Sequence, residues 1–314
     1  MFPILFTIGP FVISTVGVFI ALGFLSAVFV SWRLAKVYDI KEEKILDMAL
    51  STFGGGLVVA RMVAVALNFN SYASLEKIIY LHKYPGLSFW GGFFGAALSL
   101  WLFSKFAKLP LWQVADFAAV GVLTGLVIGN FGCFFGGCGF GAVSDLPIAL
   151  PVVGLIGKRL PISLIEGIIL LFVTLRLYKQ VIKFHFAGKI VAKFLIILGI
   201  LKFISEFYRG NTSLIFPNAW ISFGHVTALI TFGIGVAVFY SRSKRNIFTD
   251  AENLLDLFSE AKKRQLVLSS WKKSWYNHKT AWRLNFNKSL LSIKSLPKRL
   301  RRKLNVKPTP TDIR

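Results

Sequence analysis

Three residues near the end of one apolar segment hold the densest chemistry in this chain: Lys202, Glu206 and Arg209 in LKFISEFYRG. Spacings of four and three put them on one face of a helix. Arginine binds phosphate through a planar fork and lysine as a point charge. A cationic stripe with an acid at its centre therefore reads in two ways. Either Lys202 and Glu206 neutralise each other inside an apolar body, or the cations form a phosphate site held in place by acidic partners. Ionisable residues within membrane-length segments are costly and mark functional positions. The same argument singles out Arg61 in GGGLVVARM, Asp116 in QVADFAAVG and Glu166 in LPISLIEG. Arg61 has no acidic residue in its own segment, which favours a binding role. Asp116 and Glu166 open theirs, where an acid also serves the positive end of a helix. His225 in ISFGHV stands alone and reads first as a hydrogen-bonding residue near the interface.

A second concentration lies at 125–141, GLVIGNFGCFFGGCGFG, with seven glycines, both cysteines and Asn130. Glycine at this density predicts backbone that leaves the helix, so that N–H groups at Gly132 and Gly137 face a ligand. Irregular backbone at membrane depth survives only where it is buried in protein or lines a cavity. Cys133 and Cys138 do not share a helical face. A small disulfide on an oxidising side and a pair of buried free thiols both fit them.

The elements that must position these residues are membrane helices. The chain has 314 residues, is 55% hydrophobic and has a mean hydropathy of +0.64, too apolar for a soluble domain of this size. Seven segments have the roughly 20 apolar residues that a bilayer core requires: 11–32, 49–68, 88–106, 112–135, 161–180, 189–208 and 220–241. The first apolar run is long enough to be a span rather than a cleaved signal. Two cysteines make no disulfide framework. The four histidines are scattered, no metal-ligand set is present, and no metal or cofactor is implied.

Charge is distributed unevenly. One set of loops carries Arg33, Lys36, Lys41, Lys44, Lys105, Lys108, Arg176, Lys179, Lys183 and Lys189, and the other only Lys77, Lys83, Lys158, Arg159 and Arg209. The bias predicts an external N-terminus and a cytoplasmic C-terminus. Residues 242–314 form a basic, partly amphipathic tail on a net charge of +23 for the chain. Trp271, Trp275 and Trp282 share a helical face among lysines, which suits an anionic lipid surface. A solvated tail is the plainer reading, and nothing in it is specific to nucleic acid.

In order along residues 1–241, the motifs resemble those of the prolipoprotein diacylglyceryl transferase family. FTIGPFVI resembles its opening Gly-Pro segment, GGGLVVARM its Gly-Ala-Arg segment, and LSFWGGFFGA its Ser-Phe-His-Gly-Gly. WQVADFAAVG resembles the next helix start. GNFGCFFGGCGFG resembles the signature Gly-Arg-x-Gly-Asn-Phe-x-Asn-Gly-Glu. LPISLIEG resembles His-Pro-x-Gln-Leu-Tyr-Glu, KFISEFYR resembles Arg-x-x-x-Glu-x-x-Arg, and ISFGH resembles Ile-Ser-x-Gly-Gln. Departures are plain. Trp90 stands at the family's histidine, Asn130 at the signature arginine, Cys133 at the asparagine and Cys138 at the glutamate. Leu160, Ile165 and Lys202 replace a histidine, a tyrosine and an arginine.

The resemblance implies an all-α integral protein of the bacterial inner membrane that moves a diacylglyceryl group from phosphatidylglycerol to the lipobox cysteine of a prolipoprotein. It implies that Arg61, Lys202 and Arg209 bind phosphate, with Asn130 as a neutral donor. Glu166, Glu206 and His225 are left as candidates for proton transfer, because Trp90 cannot titrate. The departures keep a second reading open, a non-catalytic relative that binds anionic phospholipid or prolipoprotein. A small-solute transporter ranks last, since no two-fold internal repeat is visible.

Overall fold

The computed structural model describes residues 2–8, 11–38, 40–69, 74–79, 86–183, 185–210, 221–243, 245–247, 249–250 and 269. The chain divides into two compact units, Met1–Lys244 and Arg245–Arg314. In the second unit, Arg245 Nη1 lies 3.9 Å from Asp250 Oδ2. Trp271, Trp275 and Trp282, on which the expected amphipathic face rests, lie outside the described residues.

The first unit opens with a small antiparallel hairpin, β1 (Ile4–Ile8) and β2 (Phe11–Ser14). The first helix therefore starts at Thr15 rather than at residue 11. Ser14 caps it, its hydroxyl accepting from Gly17 N–H at 3.1 Å. The helices are α1 (Thr15–Ala35), α2 (Glu42–Leu67), the short α3 (Leu75–Ile79), α4 (Phe89–Phe106), α5 (Leu111–Gly136), α6 (Ile162–Val181), α7 (Lys189–Phe207) and α8 (Phe223–Ser243). A second two-stranded piece, β3 (Leu150–Pro151) with β4 (Lys158–Arg159), lies between α5 and α6. The unit is thus mostly helical with two minor hairpins, consistent with the all-α expectation.

Helices run through all seven segments where spans are expected. Thr15–Tyr38, Glu42–Leu67, Leu111–Gly136 and Phe223–Ser243 are long and apolar enough to cross a membrane. Large apolar side chains cover their outer faces, among them Leu25, Phe29, Val58, Met62 and Leu229, as a lipid-facing surface requires.

The centre is α5. Val114, Phe117, Val120 and Leu123 are fully buried there, against Leu170 of α6 and Ile190 and Leu198 of α7. The glycine-rich run is mostly helix, which corrects the expectation of irregular backbone across it. On α5, a Cβ on Gly125 would lie 3.2 Å from Gly23 O, one on Gly132 2.2 Å from Phe19 Cβ, and one on Gly136 2.4 Å from Val16 Cγ2. These glycines let α1 and α5 approach closely, the small-residue packing of membrane helices. The chain leaves the helix only at Gly137, whose φ of 80° makes it a left-handed C-cap.

Asp116, on α5, serves a different helix from its own. Its Oδ1 accepts from Ile190 N–H at 3.0 Å and Val191 N–H at 2.9 Å, and its Oδ2 from Gly188 N–H at 2.8 Å. A side chain distant in sequence thereby satisfies the open donors at the start of α7.

Candidate active site

Lys202 and Glu206 on α7, with Arg209 just past the end of that helix, turn toward α6 and α8. Lys202 Nζ donates to Glu166 Oε2 at 2.7 Å, and its ammonium sits 4.5 Å from the Phe89 ring centroid. Arg209 straddles two acids, with Nη2 3.7 Å from Glu166 Oε1 and Nε 3.7 Å from Glu206 Oε2. Those separations exceed hydrogen-bond length. Arg209 Nε and Glu166 Oε1 are buried and make no hydrogen bond among the described residues. Among the described residues the fork is held by charge.

Glu206 is placed by the start of α8. Ser222 Oγ lies 2.8 Å from Glu206 Oε1 and 2.9 Å from His225 Nδ1. Ser222 N–H donates to His225 Nδ1 at 3.1 Å, which puts the neutral ring's proton on Nε2. A Cβ on Gly224 would fall 2.3 Å from Glu206 Oε1, so only glycine lets the carboxylate rest on the helix terminus.

Lys202, Glu206 and Arg209 line a cavity of about 250 Å³, together with Asn68 of the α2 end, Ser88 and Trp90 at the start of α4, and Gly224 of α8. Arg209 is registered there from outside the helices. Arg209 pairs with Gly141 across an isolated bridge, Ala142 N–H donates to Tyr208 O at 2.9 Å, and Gly210 N–H to Phe140 O at 3.1 Å. That 140–142 strip follows the Cys133–Cys138 disulfide. Ser163 Oγ, in the first turn of α6, lies 3.0 Å from Cys138 O and 2.8 Å from Gly139 O. Of the two readings open for the cysteines, the structure contains the disulfide.

The remaining sequence candidates lie elsewhere. Arg61 Nε donates to Ile78 O at 3.0 Å, Nη1 to Gly86 O at 2.8 Å and Nη2 to Lys77 O. Its fork fastens the carbonyls of α3 and of Gly86 to α2, and it is not among the cavity-lining residues. Asn130 Nδ2 turns back to Leu126 O at 2.8 Å on its own helix. Gly132 is spent on packing against Phe19 and Gly137 on the helix cap. Glu166 lies behind Lys202, and His225 packs between Phe203 and Phe207 with centroids 5.2 and 4.3 Å away. His225 Nε2 is buried and makes no hydrogen bond among the described residues. Sequence reasoning passed over Ser222, although it stands in the quoted ISFGH, and Phe89, one residue before Trp90.

A mostly helical fold with several membrane-length helices, packed around an interior cluster of two cations and two carboxylates, defines an integral membrane protein. The family model described as prolipoprotein diacylglyceryl transferase matches residues 3–241, and the chain belongs to that family. Curated relatives carry the name phosphatidylglycerol–prolipoprotein diacylglyceryl transferase. One from Synechococcus elongatus is 34% identical over 167 residues, 52% of this chain and 56% of the relative. One from Dehalococcoides mccartyi is 30% identical over 140 residues, 44% of this chain and 53% of the relative. In both cases the matched stretch spans about half the relative's length. A relative from Clostridioides difficile is 26% identical over 243 residues, 77% of this chain and 95% of its own length.

Proposed function

We propose that this chain transfers a diacylglyceryl group from phosphatidylglycerol to the thiol of a prolipoprotein lipobox cysteine. The observation that carries this reading is the convergence of Lys202, Arg209 and Glu206 on one cavity. The reaction forms a carbon–sulfur bond to the diacylglyceryl carbon and breaks the bond from that carbon to the phosphate oxygen. Glycerol phosphate leaves with the electron pair, and the thiol proton is lost to a base. Two needs follow: cations where phosphate charge develops, and a field that favours thiolate over a thiol of pKa about 8.5. Arg209 and Lys202 meet the first. Of the three acid–base candidates Glu206 alone lines the cavity, so it faces the thiol in this account. Glu166 holds Lys202 and Arg209, and Ser222 with His225 orients Glu206. Arg61 acts at a distance, by fixing the segment that leads into Ser88.

All seven long helices span the membrane in this reading, with the N-terminus outside, the C-terminus in the cytoplasm and residues 1–241 as the catalytic body. The external side is the oxidising one that suits Cys133–Cys138. The tail at 242–314 lies on anionic lipid; deleting residues 250–314 lowers vesicle binding and leaves transfer intact, whereas lost transfer contradicts this division.

One observation favours a binding-only relative: Trp90, which cannot move a proton, lines the cavity where the resembled family carries histidine. Purified protein with phosphatidylglycerol and a lipobox peptide separates the readings. Thioether product supports transfer, and lipid binding without product supports the relative.

A further inference from the structure

The far end of α7 carries a second cavity. It lies about 20 Å of helix before Lys202, has a volume of about 230 Å³, and is lined by Gln180, Lys183, His185, Lys189, Ile190 and Lys193. Four of these six are basic, and no carboxylate lines the space. The acid beneath it, Asp116, is already engaged. Three backbone N–H groups of the α7 start occupy its oxygens, and His185 Nε2 lies 3.2 Å from Oδ2. The helix terminus is therefore capped, and a ligand here meets side chains rather than open N–H groups.

Among the described residues no carboxylate pairs with these lysines. Lys193 Nζ donates to the neutral Gln180 Oε1 at 2.7 Å, which leaves two of its three protons unspent. Lys189 and Arg176 lie within electrostatic reach of Lys193. The ion pairs among the described residues include none to Lys183, Lys189 or Lys193. Like charges converging on a concave space whose lining holds no carboxylate repel one another, and a bound anion relieves that repulsion. Basic pockets between membrane helices suit phosphate-bearing head groups.

We propose that this cavity is a second anion site that takes a negatively charged phosphate group, either the headgroup of an anionic phospholipid or free phosphate. It is distinct from the Lys202–Arg209 cavity and does not depend on transfer.

The test uses full-length protein in detergent at fixed ionic strength, titrated with phosphatidylglycerol, phosphatidylethanolamine or inorganic phosphate. Native mass spectrometry counts retained lipid, and thermal unfolding reads phosphate. The wild type retains one more phosphatidylglycerol than K183Q/K189Q/K193Q, whose affinity at this site is at least about tenfold weaker. K183R/K189R/K193R and Lys105→Gln, an exposed lysine outside the cavity, keep that lipid. A lipid-count difference without a phosphate response assigns the site to a headgroup. A phosphate-dependent rise in Tm that the triple variant loses, at equal lipid count, assigns it to free phosphate. Equal lipid counts and equal phosphate responses in wild type and variant overturn the proposal. If the triple variant does not fold, Lys183→Gln and Lys189→Gln singly carry the same comparison.

Discussion

Lys202 and Glu166 form a salt bridge of 2.7 Å between α7 and α6, with side-chain exposures of 9% and 2%. The pairing crosses helices. Lys202 is neutralised by the acid of another segment, while Glu206, its neighbour on the same face, faces Arg209 and Ser222 instead. That division leaves Glu206 at the cavity and puts Glu166 behind the cations.

Breaking this pair on one side strands a buried charge, which costs about 3 kcal/mol or more. Glu166→Ala is expected to lower the unfolding temperature in detergent and the folded yield sharply. Lys202→Met combined with Glu166→Gln recovers much of the stability and leaves transfer abolished. Unfolding measured on the two single variants and the double checks this as a mutant cycle.

Gly224→Ala tests the placement of Glu206. The new methyl group falls on the carboxylate, so transfer drops by about tenfold or more, on the scale of one displaced catalytic group, while membrane insertion persists. Ser222→Ala removes a donor from Glu206 and lowers stability by about 1–3 kcal/mol. Rates and unfolding curves on both variants separate positioning from folding.

Cys133→Ser with Cys138→Ser tests the route by which Arg209 is placed. The disulfide ties down the chain just before the 140–142 strip that pairs with residues 208–210. Its loss is expected to weaken phosphatidylglycerol binding more than it weakens helix packing. Lipid affinity and helical content, compared before and after reduction of the wild type, check this. Unchanged affinity removes the strip from the account.

Asp116→Asn keeps one acceptor for the α7 start and loses the charge. A loss of about 1 kcal/mol is expected, and Asp116→Ala loses about 2 kcal/mol, the range of helix caps. Asp116 lies near the opposite end of α7 from the cavity, so the KM for lipid stays unchanged in both. Thermal unfolding beside steady-state kinetics checks the split.

Much of this site was legible in the sequence because helical spacing is a local property. Lys202 and Glu206 repeat at a helical interval on α7, and Arg209 follows just past the end of that helix. Partner choice was not legible, because it depends on which helices pack together. Lys202 selects Glu166 over Glu206, and Asp116 caps a helix that begins more than seventy residues later. The glycine run departs from expectation for the same reason. Dense glycine serves loops and close helix contacts alike, and only the neighbouring α1 decides for contact at Gly125, Gly132 and Gly136. Arg61 lacks an acid in its own segment, yet it donates to backbone carbonyls, which no residue type announces.

The most direct measurement is transfer itself. Purified protein is incubated with phosphatidylglycerol and a lipobox peptide, and the peptide is analysed by mass spectrometry. The account predicts a diacylglyceryl thioether on the cysteine from the wild type, and none from Arg209→Ala that still inserts and folds. Unmodified peptide from folded wild type, in an assay where a relative such as the Synechococcus elongatus transferase gives product, contradicts it.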